Sequence, residues 1–303
     1  MFFSFTSATY VNYDVSPLSL INDDICYYNI TIYLDDLIFE KHGIVALTVP
    51  NEIQIISNEC YVHLPGDIEQ DSSSNVIVNK VNANTIEISG ISNERNLIEG
   101  ETLVLTVGQF RNPRTFKTTS SPFYVVIKSN DGSIISESAI NNDIRITTND
   151  QAKVNNINIA SSNYINSEQA AYTFTLTTSS SLYNDDTVYI KFPIEYTKSM
   201  SLDELAQVTL TSEGKLRSSL DIIEATLNDD CGCYVIKAKL DMNDNTITSI
   251  DKGEDVVFIV DGVVNPLSLK QTASFELGFV TADGLVIQSR NGVERAMTTL
   301  YPN

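Results

Sequence analysis

Tryptophan is absent from the sequence and histidine occurs only at His42 and His63. No indole platform is therefore available for stacking on a sugar ring. A Ser-His-Asp or Cys-His centre needs an imidazole beside its nucleophile. His42 falls in the loop Glu40–Gly43 and His63 on an alternating run, and the second half of the chain has no histidine at all. Glycine is modest, at 13 residues, and no Gly-rich phosphate loop is present. Cations are scarce: 19 Lys and Arg stand against 39 Asp and Glu, a formal net charge of -20. Such a surface repels nucleic-acid phosphates and anionic lipid. Membrane-length apolar runs are missing; the most apolar windows, Thr102–Val107 and Val256–Val260, are only strand-length. The opening MFFSFTSATY has no basic n-region and alternates early, unlike a signal peptide. If the parent protein is secreted, the chain is expected to be a mature or excised part of it.

What is present favours strands. The apolar residues are mostly Val, Ile, Leu, Phe and Tyr, and long runs of Ala, Leu, Glu and Lys at helical spacing are missing. The chain also repeats itself. Glu99-Gly100-Glu101 through Asn112-Pro113 aligns without a gap on Lys252-Gly253-Glu254 through Asn265-Pro266. Each copy runs from a G-E turn through an alternating strand to an Asn-Pro turn. The inward residues would be Leu103, Leu105 and Val107 in one copy and Val256, Phe258 and Val260 in the other. Phe123, Val125 and Ile127 then match Phe275, Leu277 and Phe279, and both runs reach an Asp-Gly hairpin signal. Tyr28–Ile32 matches Tyr172–Leu176, and Leu47–Pro50 matches Ile190–Pro193. Short strands with frequent turns predict an all-β chain of two tandem immunoglobulin-like β-sandwich domains. The expected division is an N-terminal strand or arm at 1–9, one repeat at 10–148, a linker at 149–151 and a second repeat at 152–303. So short a link favours end-to-end stacking. The second repeat stops near where a third would begin, and Met1–Ser7 falls on the register of Ile144–Asp150, a repeat's last strand. The expectation is a segment of a longer array, or a subunit that completes a neighbour's sheet through Phe3 and Phe5.

Cys26 leads into the first strand of the first repeat and Cys60 opens the run Tyr61–Leu64. Their counterparts in the second repeat are Ala170 and Ala206, and joint loss is what a bonded pair predicts. A Cys26–Cys60 disulfide is therefore expected; the alternative is two buried free thiols. Cys231-Gly232-Cys233 stays open between a local disulfide, a pair reaching another chain and half of a metal site. Zinc needs about four ligands, and both histidines lie in the other repeat. Asn29-Ile30-Thr31 is a glycosylation sequon whose Asn29 alternates outward. Paired acids (Asp23-Asp24, Asp35-Asp36, Asp185-Asp186, Asp229-Asp230) sit at non-equivalent positions, as solvated turns do. Asp241-Met242-Asn243-Asp244-Asn245 resembles the D-x-N-D-N calcium linker of cadherins, with Asp241, Asn243 and Asn245 as the ligating set. It lacks the following Pro and lies inside a repeat, and a polar hairpin turn is the alternative.

The recurring frame (G-E, alternating strand, N-P, F-x-V-x-I, D-G) resembles the tandem immunoglobulin-like repeats of very large surface proteins of ciliated protists. The resemblance spans both repeats and implies an extracellular location with adhesive, coat or filament roles. It carries no catalytic residues. The resulting expectation is a non-enzymatic structural module of a cell-surface fibre or appendage, without cofactor. Its partners would be copies of itself or neighbouring repeats, with no nucleic acid and no membrane insertion. The second reading is an adhesin or ligand-binding module, with calcium as its conceivable ion.

Overall fold

The computed structural model describes residues 10–63, 76–139, 143–148 and 152–295. Phe3 and Phe5, the expected assembly residues, lie outside the described residues. The chain divides into two compact units, Met1–Pro113 with Lys117–Asp150, and Arg114–Phe116 with Gln151–Asn303. Both are built almost wholly of strands and both are β-sandwiches of immunoglobulin-like architecture.

In the first unit the strands are β1 (Tyr10–Pro17), β2 (Ile25–Tyr33), β3 (Ile44–Thr48), β4 (Gln54–His63), β5 (Ile77–Lys80), β6 (Thr85–Ser89), β7 (Thr102–Arg111), β8 (Tyr124–Lys128) and β9 (Ile134–Ser138). Their order is β4-β7-β2-β1-β9-β8-β3-β6-β5. Strand β1 serves both layers: Tyr10 and Val11 pair in parallel with β9, and Asn12–Pro17 pair antiparallel with β2. The alternation sorts side chains as expected. Ile30, Ile32, Leu103, Leu105, Val107, Phe123, Val125 and Ile127 are completely buried, and Asn29, Thr31, Val104 and Thr106 face outward.

The second unit contains β10 (Ala152–Lys153), β11 (Asn155–Ser161), β12 (Gln169–Thr177), β13 (Leu182–Tyr183), β14 (Thr187–Lys191), β15 (Thr209–Glu213), β16 (Ser219–Leu220), β17 (Ile222–Asn228), β18 (Cys233–Lys239), β19 (Ser249–Ile250), β20 (Asp255–Val264), β21 (Ser274–Val280) and β22 (Val286–Arg295). One sheet runs β10-β22-β21-β14-β18-β17 and the other β11-β12-β20-β15-β16. Apart from the edge strand β16 and the separate two-stranded pair β13–β19, this is the order of the first unit, with β10 and β11 sharing the task of β1. A strand bulge between Cys26 and Tyr28 recurs between Ala170 and Tyr172.

One part of the second unit departs from the all-strand expectation. Between β14 and β15 the chain forms a 3-10 turn, Ile194–Lys198, and one helical turn, α1 (Leu202–Leu205). Ser201 caps α1 by accepting the Glu204 N–H, and Glu204 accepts the Ser201 N–H in return. Tyr196 from this insertion is completely buried. It joins Tyr172, Phe174, Phe192 and Phe275 in a cluster with ring centroids 5.4 to 6.5 Å apart.

Both units close around the same polar contact. Asn112 is buried; its Nδ2 donates to the Ser19 and Ile21 carbonyls at 2.8 Å, and its Oδ1 accepts from Tyr28 Oη at 2.5 Å. Asn265 Nδ2 donates to the Asn163 and Ile165 carbonyls at 2.9 and 2.8 Å, and its Oδ1 accepts from Tyr172 Oη at 2.5 Å. Burial raises both tyrosine hydroxyls above their usual range, so they remain donors. The Gly-Glu turns also coincide. Gly100 and Gly253 take φ of +83° and +91°, open to glycine without penalty. The following carboxylate accepts its own turn's N–H, Glu101 from Ile98 at 2.8 Å and Glu254 from Asp251 at 2.9 Å.

Replacing Asn265 by Ala removes three hydrogen bonds from a dry site, while the Asn163 carbonyl keeps the Ser161 hydroxyl, the Ile165 carbonyl keeps the Glu168 N–H and Tyr172 Oη keeps the Tyr196 hydroxyl. Each lost hydrogen bond costs about 0.5–1.5 kcal/mol. Asn265→Ala is expected to lower stability by about 2–4 kcal/mol in urea unfolding, against less than about 1 kcal/mol for a neutral exposed change such as Ile223→Thr.

Candidate functional site

The cysteines come first because the structure rearranges their expected pairing. Strand β7 lies between β2 and β4, with Cys26 opposite Phe110 and Cys60 opposite Val107. Two strand spacings amount to about 10 Å, beyond the roughly 7 Å that a disulfide tolerates between Cα atoms. Cys26 and Cys60 are accordingly free, buried thiols, and the Cys26–Cys60 bridge is not formed. The alignment that suggested it slips at its second member. Cys60 and Leu210 hold the same place, opposite Val107 and Val260, so Leu210 rather than Ala206 is the counterpart. The helical insertion before β15 displaced the register. Cys26 Sγ rests 3.6 Å from Asn112 Oδ1 and 3.7 Å from the Ser19 carbonyl, beside the tyrosine–asparagine contact. Burial pushes the Cys60 thiol up to about 12.

Cys231 and Cys233 are bonded to each other across the β17–β18 turn, with Cα atoms 5.1 Å apart. Cys231 is exposed and Cys233 buried. Asn228 organises the turn independently, its Oδ1 accepting the N–H groups of Asp230 and Cys231. So short a closed loop contributes only about 1.6 kcal/mol by the loop-entropy relation.

Asn29 lies on the outer face of the first unit between Ser16 and Thr106, half-buried, and its Oδ1 accepts the Thr106 hydroxyl at 2.8 Å. His42 Nδ1 lies 3.1 Å from Asn93 Oδ1, and His63 Nε2 lies 3.3 Å from Thr106 Oγ1. The side chains expected to gather round calcium are engaged elsewhere. Asp241 pairs with Arg217 at 3.0 Å, and Asn243 Nδ2 donates to the Gly214 carbonyl at 2.6 Å. Asn245 is exposed, and Asp244 caps the turn by accepting the Thr246 N–H at 2.8 Å. Among the described residues no group of three or more His, Cys, Asp or Glu side chains gathers as a metal site. The segment connects β18 to β19, which do not pair with each other; Asp244 caps its own turn, while Asp241 and Asn243 reach across to Arg217 and Gly214.

Two concave surfaces remain. In the second unit, Asn184, Asp185, Arg217, Ser219, Asp221, Lys239, Leu240 and Asp241 line a polar crevice of about 360 Å³. Its charges are already matched: Lys239 pairs with Asp185 at 2.6 Å and Arg217 with Asp241. Asp185, then Asp241 and Asp221, hold the Lys239 ammonium above its usual range. Ser219 shares this lining with the three aspartates. In the first unit, Asp35, Asp36, Leu37, Ile38, Ile98, Glu99 and Gly100 line a wider crevice of about 670 Å³. Two exposed isoleucines and three exposed carboxylates share its lining. The first can recognise a partner by charge, the second by charge and apolar contact.

No protein-family model matches the chain, and no curated protein matches it by sequence. Among solved structures it is similar to "Enterococcal surface protein, partial N-terminal region", at TM-score 0.27 and 12% identity over 100% of this chain and 98% of that one. It is also similar to "Biofilm associated protein - B domain", at TM-score 0.27 and 10% identity over 94% and 86%. A third is the type II cohesin dyad from the adaptor ScaA scaffoldin of Acetivibrio cellulolyticus, at TM-score 0.24 and 11% identity over 96% and 97%. These are surface-protein and cohesin domains of bacteria, and they lend no support to the ciliate resemblance. At such scores the likeness carries no argument about activity.

Thiol chemistry checks the cysteine assignment. Without reductant, the folded protein is expected to show no rapidly labelled thiol at pH 8, and two after unfolding in guanidinium. Folding also raises the Cys60 pKa from 9.0 to about 12. The neutral thiol's contribution is therefore whole below pH 9 and is lost as pH rises from 9 towards 12. Urea midpoints are expected to fall across that window, and less steeply in Cys60→Ala.

Proposed function

We propose that this chain is a non-catalytic structural module of an extracellular fibre or appendage, built of two tandem repeats. The observation that carries the reading is the repetition of one design within one chain. Strand order, bulge, Gly-Glu turn and buried Tyr–Asn contact recur, and the loops differ. Selection for a catalytic or binding pocket shapes one site; repetition of a whole sandwich with its interior polar contacts intact is what a load-bearing or spacing element requires.

The chemistry supports that compartment. The Cys231–Cys233 disulfide suits an oxidising environment. Asn29 offers its sequon on an outward face, where glycosylation would take place during secretion. The net charge of -20 keeps copies soluble until specific contacts bring them together. No helix among the described residues is long and apolar enough to cross a membrane.

A second reading, an adhesin or ligand-binding module, is favoured by the ion-lined crevice around Arg217 and Lys239, which has the size of a small polar ligand.

Immunogold labelling with antibody raised against the folded chain separates the readings from an intracellular role. Label on intact, unpermeabilised cells, spaced along an appendage or coat, is the expected outcome. Label that appears only after permeabilisation overturns the proposal.

A further inference from the structure

We propose that the segment Leu267–Lys270 of one molecule docks into the Asp35–Ile38 and Ile98–Glu99 crevice of a second copy of this chain. The inference deepens the fibre reading and rests on it. The contact joins two different surfaces, so it propagates rather than closing on itself.

The receiving surface is unusual for a folded unit. Ile38 and Ile98 are 51% and 57% exposed, side by side in a crevice of about 670 Å³. Asp35, Asp36 and Glu99, all exposed, line the same crevice. Clustered exposed aliphatics rimmed by polar groups mark a contact surface. This lining specifies a partner that is both apolar and cationic.

The second unit presents that combination. Beyond Asn265-Pro266, Leu267 and Leu269 are 57% and 42% exposed, and Lys270 next to them is exposed. The segment is held in shape before any contact. Asn166 Nδ2 donates to the Leu267 carbonyl at 3.3 Å, and the Lys270 N–H donates to Ser268 Oγ at 3.1 Å. Little ordering cost would remain on docking.

The two surfaces also correspond to a pair already joined within the second unit. Arg114 follows Asn112-Pro113 just as Leu267 follows Asn265-Pro266. Arg114–Phe116 belongs to the second unit, where Arg114 makes a two-pronged ion pair with Asp186 at 2.9 and 2.8 Å. Arg114 also donates to the Ser181 carbonyl and lies 4.5 Å from the Tyr183 ring centroid. Ser181, Tyr183 and Asp186 belong to the connection that leaves β12. The crevice at Asp35–Ile38 is the connection that leaves β2, the strand corresponding to β12. One post-Asn-Pro segment is thus seated on one such connection. Leu267–Lys270 and the Asp35–Ile38 crevice are the remaining segment and the remaining seat. Arg on Asp in the occupied pair becomes leucines on isoleucines, with Lys270 facing the carboxylates.

Cross-linking of the full chain tests the contact. A variant carrying Ile98→Cys and Leu267→Cys is oxidised with copper phenanthroline in air, which takes up the two electrons and two protons released by each thiol pair. A ladder of covalent oligomers on a non-reducing gel is expected. It should form about tenfold faster than in the control Ile98→Cys with Ile223→Cys, because docking raises the local thiol concentration. Adding Asp36→Lys should slow the ladder, and adding Lys270→Glu to that chain should restore it. All of these positions are exposed, and a thermal melt confirms folding. Equal rates in the matched and control chains, or indifference to Asp36→Lys, would overturn the inference. If a cationic partner protein occupies the crevice instead, the ladder fails while surface labelling of cells persists, and the fibre reading survives. A ladder with only intracellular label would separate the opposite case.

Discussion

Each unit is held shut by one buried primary amide. Asn112 and Asn265 end β7 and β20 and are followed by proline, which cannot donate and so stops the ladder there. The freed side chain then ties three places together: its own strand end, the loop before the next strand and a tyrosine on the neighbouring strand. The backbone joins in, with the Asn112 N–H donating to Asp24 and the Asn265 N–H to Glu168. The tied loops contain Asp23 and Ser167 with φ of +58° and +63°, a conformation that non-glycine residues avoid. Such a turn persists only where its surroundings over-determine it. The low dielectric that strengthens each of these hydrogen bonds also makes the loss of one expensive, so the contact specifies a single closure.

Charge acts on a different level. Ten ion pairs are present among the described residues, and most have partly exposed side chains. Exposed pairs contribute about 0–1 kcal/mol each, so they do not hold the sandwiches together. Some place a cation at a turn or loop and others tie strands of one sheet, as Lys128–Glu87, Lys191–Glu276 and Lys237–Glu224 do. Arg95 and Lys215 both meet the Gly-Glu carboxylate, though they arrive from unrelated places in the sequence. The excess acid is left on the surface, where it opposes indiscriminate association and lets a few cationic residues choose their partners.

Much of this was legible in the residues. Period-two alternation named the inward faces of β7, β8, β20 and β21, because burial on one face leaves no freedom of register. The Asn-Pro and Gly-Glu turns were visible as recurring pairs, but their roles were not, since a side chain's reach across a sandwich has no linear signature. The Cys26–Cys60 pairing failed for that reason: shared inward phase says nothing of an intervening strand. Helix α1 was missed although Ser201 and Glu204 spell a capping box. A single helical turn carries too little periodicity to stand out, and the buried Tyr196, not propensity, anchors the segment. In the calcium-like turn, the same oxygen-rich residues that would bind an ion also serve as ion-pair and hydrogen-bond partners, and only geometry separates the two.

The pattern of sameness and difference then locates the specificity. What recurs between the units is interior: the amide contact, the bulge and the inward side chains. What differs lies in the connections: the disulfide of Cys231 and Cys233, the helical insertion, the ion-lined crevice and the crevice of isoleucines and carboxylates. A loop can change its chemistry without disturbing a core that the buried asparagine closes independently. Strand order therefore sets which loops share an end of a sandwich, and loop sequence sets what that end can meet. Because the connection after β2 and the segment after β7 are fixed by the scaffold in both units, a change from ionic to apolar contact alters the partner without altering the geometry of presentation.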